Sequence, residues 1–129
     1  MVHTVQQEIM VEMEQILQIQ PLVGAVDVVV NCTPVGMHPM VDESPLESSF
    51  INPPMVVMDT IYNPESTLLV RSAREKGAVA VTGLDMFIAQ AAAQFKLFTG
   101  EAAPADLMRQ VARNALSSRV GRPLAQGAG

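Results

Sequence analysis

Residues 25–31, with the sequence AVDVVVN, are the stretch that decides the fold. The run is too short for a helix, and its β-branched valines are typical of a β-strand. Near-continuous valine further predicts burial on both faces, as in a parallel sheet. Similar runs follow at residues 55–59 (MVVMD) and 78–82 (AVAVT). Strands of this kind, alternating with helices along the chain, predict an α/β fold on a parallel sheet.

Apolar residues spaced three and four apart predict the helices. They cover residues 5–20, 66–76 and 85–98, and a last helix opens at Pro104 and runs to Ser118. We therefore expect half of a doubly wound, Rossmann-type parallel sheet with flanking helices and a C-terminal helix pair. Residues 1–24 are predicted to form an N-terminal helix and turn, residues 25–118 the sheet-containing part, and residues 119–129 a flexible tail.

A long segment between the first two strands, residues 32–54, carries five prolines and one glycine. Proline excludes a long regular element there, so the segment is predicted to be a loop-rich connection. Loops of this length inside compact domains are often functional or mobile. The segment is therefore a first candidate for function.

Composition limits the classes of function. The chain has 129 residues, the length of one domain, with 8 basic and 13 acidic side chains and a net charge of −5. This balance argues against nucleic acid as a partner, and the sequence predicts no membrane span. One cysteine, Cys32, cannot form an intramolecular disulfide, and the N-terminus lacks a secretory signal pattern, so a cytoplasmic location is expected.

Ligands of open α/β sheets bind beyond the carboxyl ends of the strands. Here those positions are residues 31–36, 59–62 and 82–85. They include an asparagine, threonines, the one tyrosine of the chain and two glycines. Polar groups and close backbone approach at one sheet edge favour a small-molecule site.

Each of these residues also has a purely structural interpretation. Asn31 and Thr33 would equally satisfy hydrogen bonds of a turn, and Tyr62 would equally lie at the edge of the core. Gln90 and Gln94 lie four apart on one helical face, where their amides suit a hydroxylated or carboxylated ligand. Glutamine is also an ordinary residue of exposed helix surfaces.

Several familiar sites are absent from the sequence. The spacing of the eight glycines forms neither a Gly-x-Gly-x-x-Gly turn nor a phosphate loop. His3, Cys32 and His38 do not show metal-ligand spacing, so no metal is predicted. Nothing in the spacing of Cys32 and His38 orients one on the other for nucleophilic catalysis.

Four motifs, in this order, carry a family resemblance. They are residues 31–37 (NCTPVGM), 59–64 (DTIYNP), 67–69 (TLL) and 83–91 (GLDMFIAQA). From about Asp27 to about Leu116 the chain resembles the C-terminal half of the cofactor domain of the shikimate dehydrogenase family. The resemblance is closest to the branch fused behind a dehydroquinate dehydratase domain.

The resemblance implies NADP-dependent interconversion of 3-dehydroshikimate and shikimate, in aromatic amino-acid biosynthesis. It places Tyr62, Gln90 and Gln94 against the substrate. It places Thr60 and Gly83 at the nicotinamide end of NADP, with Asn31 and Thr33 beside the cofactor. Cys32, Pro34 and Thr60 depart mildly from the family pattern, and contacts through the backbone would survive these changes.

Other parts that the family uses do not match this sequence. Its catalytic lysine and aspartate, its glycine-rich pyrophosphate loop and its segment for the 2′-phosphate have no counterpart here, so no catalytic residue is assigned. We therefore expect a segment that is incomplete for catalysis and that, by itself, binds NADP weakly or not at all. The alternative is a non-catalytic binding or assembly module. In either case an open edge at the strand of residues 25–31 predicts a homo-oligomer or a partner chain.

Overall fold

The computed structural model describes residues 25–120, and its central element is a three-stranded parallel sheet. The strands are β1 (Val28–Asn31), β2 (Val56–Asp59) and β3 (Val79–Val81), in that spatial order. A short 3₁₀ turn, Ser48–Phe50, lies in the loop before β2. Each strand matches one of the predicted strands. The predicted α/β fold with a parallel sheet is confirmed.

Three α-helices of the described residues follow the predicted pattern. They are α1 (Leu68–Glu75), α2 (Gly83–Thr99) and α3 (Ala105–Val120), so the C-terminal helix pair is also confirmed. Thr67 caps α1 by accepting a hydrogen bond from the Val70 N–H at 3.3 Å. Gly77 follows the end of α1 with φ +77°, the left-handed conformation that glycine adopts readily. The predicted helix over residues 5–20 lies outside the described residues, as do residues 121–129.

Two compact units divide the chain after Gly83. The first contains the sheet and α1. Its core joins Leu69 and Ala73 of α1 to Val57 of β2, and Leu46 and Ile51 of the long loop belong to the same cluster. The loop of residues 32–54 therefore contributes to the core of this unit, a contribution that its proline content did not predict.

Burial of β1 on both faces was predicted and is wrong. Val29 packs against the core, whereas Val28 and Val30 expose 56% and 48% of their surface. The valine run predicts an extended strand, but its composition does not specify whether both faces are covered. In β1 the side chains alternate between the core and an exposed face.

The second unit contains most of α2 and all of α3. An apolar groove of about 430 Å³ is lined by residues of both helices, among them Ile88 and Ala91 of α2 and Leu107 and Val111 of α3. Asp85 in the first turn of α2 forms an ion pair with Arg109 of α3. Among residues 25–120, no helix is long and apolar enough to span a lipid bilayer.

Candidate functional site

A buried polar cluster lies where β1 and β2 end. Asp59, the last residue of β2, is fully buried, and its carboxyl group accepts three hydrogen bonds. Oδ1 accepts from Asn31 Nδ2 at 3.2 Å and from the Ile61 N–H at 3.0 Å, while Oδ2 accepts from Thr67 Oγ1 at 2.7 Å. One side chain thus joins the ends of both strands to the N-terminus of α1.

Asn31 extends this cluster into the turn that follows β1. Its Nδ2 also donates to the Val35 carbonyl at 3.1 Å, and its Oδ1 accepts from both the N–H and the hydroxyl of Thr33. The Asn31 side chain is 4% exposed, with both ends engaged in internal hydrogen bonds. This geometry agrees with the structural interpretation of Asn31 and Thr33, in which their side chains shape the turn.

Thr60 links the two strand ends through the backbone. Its N–H and its hydroxyl both donate to the Asn31 carbonyl, at 3.1 and 2.8 Å. The Thr60 side chain is half-buried. Three of the four predicted cofactor residues, Asn31, Thr33 and Thr60, therefore form one hydrogen-bonded group.

Gly83 packs directly against the end of β2. A Cβ atom built on it would lie 2.3 Å from the Ile61 carbonyl oxygen and 2.6 Å from that of Thr60. Only glycine allows backbone to approach so closely at this position. The fourth predicted cofactor residue is thereby brought to the same edge of the sheet as the other three.

The predicted substrate residues fall in two units. Tyr62 belongs to the first unit, follows the cluster and exposes 51% of its surface. Gln90 and Gln94 are exposed residues of α2 in the second unit. Their spacing of four residues places both amides on one side of that helix, as predicted.

Asp59 and Thr67 lie in segments that the sequence marked as candidates, but neither residue was assigned a role in the site. The sequence did contain one signal, the aspartate that ends the apolar run MVVMD. An aspartate in such a run is expected to be buried, and a buried carboxyl group requires hydrogen-bond partners. Within residues 25–120, no group of three histidine, cysteine, aspartate or glutamate side chains is arranged to hold a metal ion. The Asp59 carboxyl group instead accepts hydrogen bonds from an amide side chain, a backbone N–H and a hydroxyl group of this chain.

Comparison with known proteins identifies related sequences and structures. A family model described as the shikimate 5′-dehydrogenase C-terminal domain matches residues 83–113. The shikimate dehydrogenase (NADP(+)) of Moorella thermoacetica is 42% identical over 103 residues, which are 80% of this chain and 35% of that protein. The chain spans about a third of the length of the curated relatives that it matches.

Solved structures agree with the sequence relatives. Shikimate 5-dehydrogenase from Listeria monocytogenes, in complex with shikimate and NAD, is 29% identical with a TM-score of 0.66. The match covers 77% of this chain and 35% of that one. Quinate dehydrogenase from Corynebacterium glutamicum, in complex with NAD, is 35% identical with a TM-score of 0.65, covering 74% and 33% of the two chains.

Proposed function

Because the chain belongs to the shikimate dehydrogenase family, as a C-terminal part of it, we propose that it supplies the nicotinamide-facing and substrate-facing portion of such an enzyme. The observation that carries the proposal is the cluster around Asp59. Hydrogen bonds of this cluster join Asn31, Thr33 and Thr60 at the carboxyl end of the sheet, and Gly83 packs against the backbone of residues 60–61 beside it. In open α/β sheets this edge is where nucleotide cofactors bind.

The cofactor residues suit the nicotinamide half of NADP. All four are uncharged, which fits a carboxamide and a ribose better than a phosphate. Because the side chains of Asn31, Thr33 and Thr60 are all engaged in hydrogen bonds within this cluster, contacts to the cofactor would come from the backbone that they hold in place. When bound, NADPH supplies the hydride that reduces the C=O carbon of 3-dehydroshikimate.

The substrate residues offer neutral hydrogen-bonding groups. The Tyr62 hydroxyl can donate to a carboxylate oxygen, and the amides of Gln90 and Gln94 can donate to or accept from hydroxyl groups. Shikimate carries both kinds of group. Since a quinate dehydrogenase is among the structural relatives, quinate is the competing substrate to be tested beside it.

Proton transfer to the carbonyl oxygen would require groups from outside the matched segment. The two lysines, Lys76 and Lys96, are exposed residues in or beside helices of the matched region and do not correspond to the lysine of the family's substrate domain. Pyrophosphate binding would likewise require a glycine-rich turn that the sequence lacks. We therefore propose that the chain contributes binding groups while the acid–base pair lies elsewhere.

A cytoplasmic location is part of the same proposal. So is a closer relation to the branch of the family that is fused behind a dehydroquinate dehydratase domain.

Titration of the purified chain with shikimate, followed by NMR, tests the substrate assignment. We expect weak binding that shifts the amides of residues 60–62 and the side-chain amides of Gln90 and Gln94. Tyr62→Phe should weaken this binding about tenfold, since a hydrogen bond to a charged group contributes roughly 1.5 kcal/mol. Phe87→Tyr is the matched control, because it adds a hydroxyl at a residue without an assigned role. Shikimate binding unaffected by Tyr62→Phe would contradict the assignment.

A non-catalytic binding or assembly module is the second candidate. The observation that favours it is the position of β1, which is an edge strand among the described residues. An edge strand offers its backbone groups for pairing with another chain. Light scattering combined with titration of shikimate and NADPH separates the two: an oligomer that binds neither ligand supports the module, and ligand binding supports the enzyme portion.

A further inference from the structure

Residues 60–66 form a loop that begins and ends at one carboxyl group. Asp59 Oδ1 accepts a hydrogen bond from the Ile61 N–H at 3.0 Å, and Oδ2 accepts one from the Thr67 hydroxyl at 2.7 Å. We call residues 60–66 the tyrosine loop, because they contain the one tyrosine of the chain. Asp59 and Thr67 are both fully buried, so these two attachments are shielded from solvent.

Hydrogen bonds fix the first two peptide groups of the tyrosine loop. The Thr60 N–H donates to the Asn31 carbonyl at 3.1 Å, and the Ile61 N–H donates to Asp59. Because a peptide group is planar, only the two backbone dihedral angles of Ile61 remain between these fixed groups and Tyr62. The position of the Tyr62 backbone therefore depends directly on the Asp59 carboxyl group.

Burial of Ile61 restricts those two angles further. Ile61 is 7% exposed, and a Cβ atom built on Gly36 would lie 3.6 Å from its Cδ1 atom, an ordinary packing distance. A close-packed side chain next to a fixed N–H leaves the backbone little freedom to turn. Tyr62 follows with 51% of its surface exposed, while the other residues of the loop are buried or half-buried. The loop thus exposes the tyrosine beside an anchored residue.

The far end of the tyrosine loop is held as well. Thr67 donates to Asp59 and caps α1, and the Ser66 carbonyl accepts from Arg71 at 2.7 Å. Fixing both ends of a short segment reduces the number of conformations that it can adopt. The loop is therefore ordered before any ligand binds.

A carboxyl group suits this role because it offers acceptors in two directions. Three buried donors converge on Asp59, namely Asn31 Nδ2 at 3.2 Å and the two groups that hold the loop. A buried donor left without an acceptor destabilises the folded state. Since Asp59 is itself fully buried, it does not reach a ligand and acts through the residues that it holds.

We propose that Asp59 is the positioning residue for Tyr62, because it fixes the place from which the tyrosine hydroxyl donates to the substrate. The proposal rests on the proposed function, which gives Tyr62 its role in substrate binding. It adds a residue that determines substrate affinity without contacting the substrate. The competing interpretation is that Asp59 only stabilises the fold.

Variants of the full chain, labelled for NMR, separate these two interpretations. Asp59→Ala removes the acceptors of the loop, so the order parameter of the Tyr62 backbone amide should fall from about 0.85 to below about 0.6. Shikimate binding should weaken about tenfold, the loss expected for Tyr62→Phe. Combining Asp59→Ala with Tyr62→Phe should cause no further loss, because both changes remove the same hydrogen bond.

Asp59→Asn is the conservative variant and should restore both properties. Its Oδ1 can accept from Asn31 and from the Ile61 N–H, and its side-chain amide can donate to the Thr67 hydroxyl oxygen. We expect the Tyr62 order parameter of the parent and a shikimate affinity within about twofold of it, since each hydrogen bond keeps a partner.

Val57→Ala is the control for loss of stability. Val57 is fully buried in β2 and belongs to the core cluster, but it lies outside the tyrosine loop and its attachments. Its shortened side chain leaves a cavity, so Tm should fall. The order of the Tyr62 amide and the affinity for shikimate should stay as in the parent.

Hydrogen exchange of the unmodified chain is a second measurement, which does not depend on whether Asp59→Ala folds. The Ile61 amide lies outside the helices and strands. It should nevertheless exchange at least about a hundredfold more slowly than in an unstructured peptide, because it donates to a buried acceptor.

Four results would overturn the proposal. The Tyr62 amide of Asp59→Ala could be as ordered as in the parent, or Val57→Ala could disorder it equally. The combined variant could lose about a hundredfold in affinity, the product of two independent tenfold losses. The Ile61 amide could exchange as fast as in an unstructured peptide.

Failure of the proposed function would be recognised separately. A parent chain that does not bind shikimate would refute the substrate role of Tyr62. The order parameters and the exchange of the Ile61 amide would still decide whether Asp59 positions Tyr62, because both are measured without ligand.

Discussion

Replacing Gly83 with alanine is expected to destabilise the first unit, although the site is the first residue of a helix, where alanine is ordinarily favoured. The added Cβ would lie 2.3 Å from the Ile61 carbonyl oxygen and 2.4 Å from its carbon. Both atoms are backbone and belong to the segment that Asp59 and Thr60 anchor. A side-chain rotation therefore cannot relieve the contact.

The distances set the size of the effect. Even a tight contact of 3.0 Å requires a backbone movement of about 0.7 Å, through a segment fixed by hydrogen bonds. Overpacking of this kind costs about 3 kcal/mol, and better helix propensity offsets less than about 1 kcal/mol of it. For a chain of this length the net loss lowers Tm by about 10 °C.

Thermal unfolding followed by circular dichroism measures this change, with Gly100→Ala as the control. Gly100 has φ +74°, and a Cβ added to it would meet nothing within 4 Å. The free energy of unfolding of Gly100→Ala should therefore fall only by what alanine costs in the left-handed conformation, roughly 1 kcal/mol. A Gly83→Ala protein within 2 °C of the parent, or no less stable than Gly100→Ala, would show that the close approach at Gly83 does not limit stability.

Three further predictions concern the cluster, the second unit and the substrate residues. Thr67→Ala removes both the cap of α1 and a partner of Asp59, so we expect a loss of about 2–3 kcal/mol in urea unfolding, and Thr67→Ser should restore most of it. The pair of Asp85 and Arg109 is about one third exposed, so a double-mutant cycle should give a coupling of no more than about 1 kcal/mol that weakens with added salt. Tyr62→Phe should leave Tm unchanged within about 2 °C while it weakens shikimate binding, as thermal unfolding and titration on one preparation would show.

The sequence predicted the regular elements well because each carries its own local signal. The three valine-rich runs form strands, and helices lie within one or two residues of the predicted ranges 66–76 and 85–98 and directly after Pro104. The parallel pairing was predicted from the α/β pattern and is confirmed, although a long loop and not a helix joins β1 to β2. These features depend on residues close together along the chain.

The hydrogen-bonded cluster could not be predicted from the sequence, because its members are distant from one another along the chain. Asp59 meets Asn31 from 28 residues away and Thr67 from 8 residues away, and only the folded sheet brings the three together. The exposure of Val28 and Val30 was missed for a related reason. A strand of valines has the same composition whether one face or both are covered.

The proposed role of this chain is to hold the nicotinamide end of the cofactor without groups for its phosphates. Binding of NADPH and of reduced nicotinamide mononucleotide, titrated in parallel against the labelled chain by NMR, tests that role most directly. We expect weak binding of both with affinities within about threefold of each other, and amide shifts centred on residues 31–36, 60–62 and 83. NADPH binding a hundredfold tighter than the mononucleotide, or shifts that avoid those residues, would contradict it.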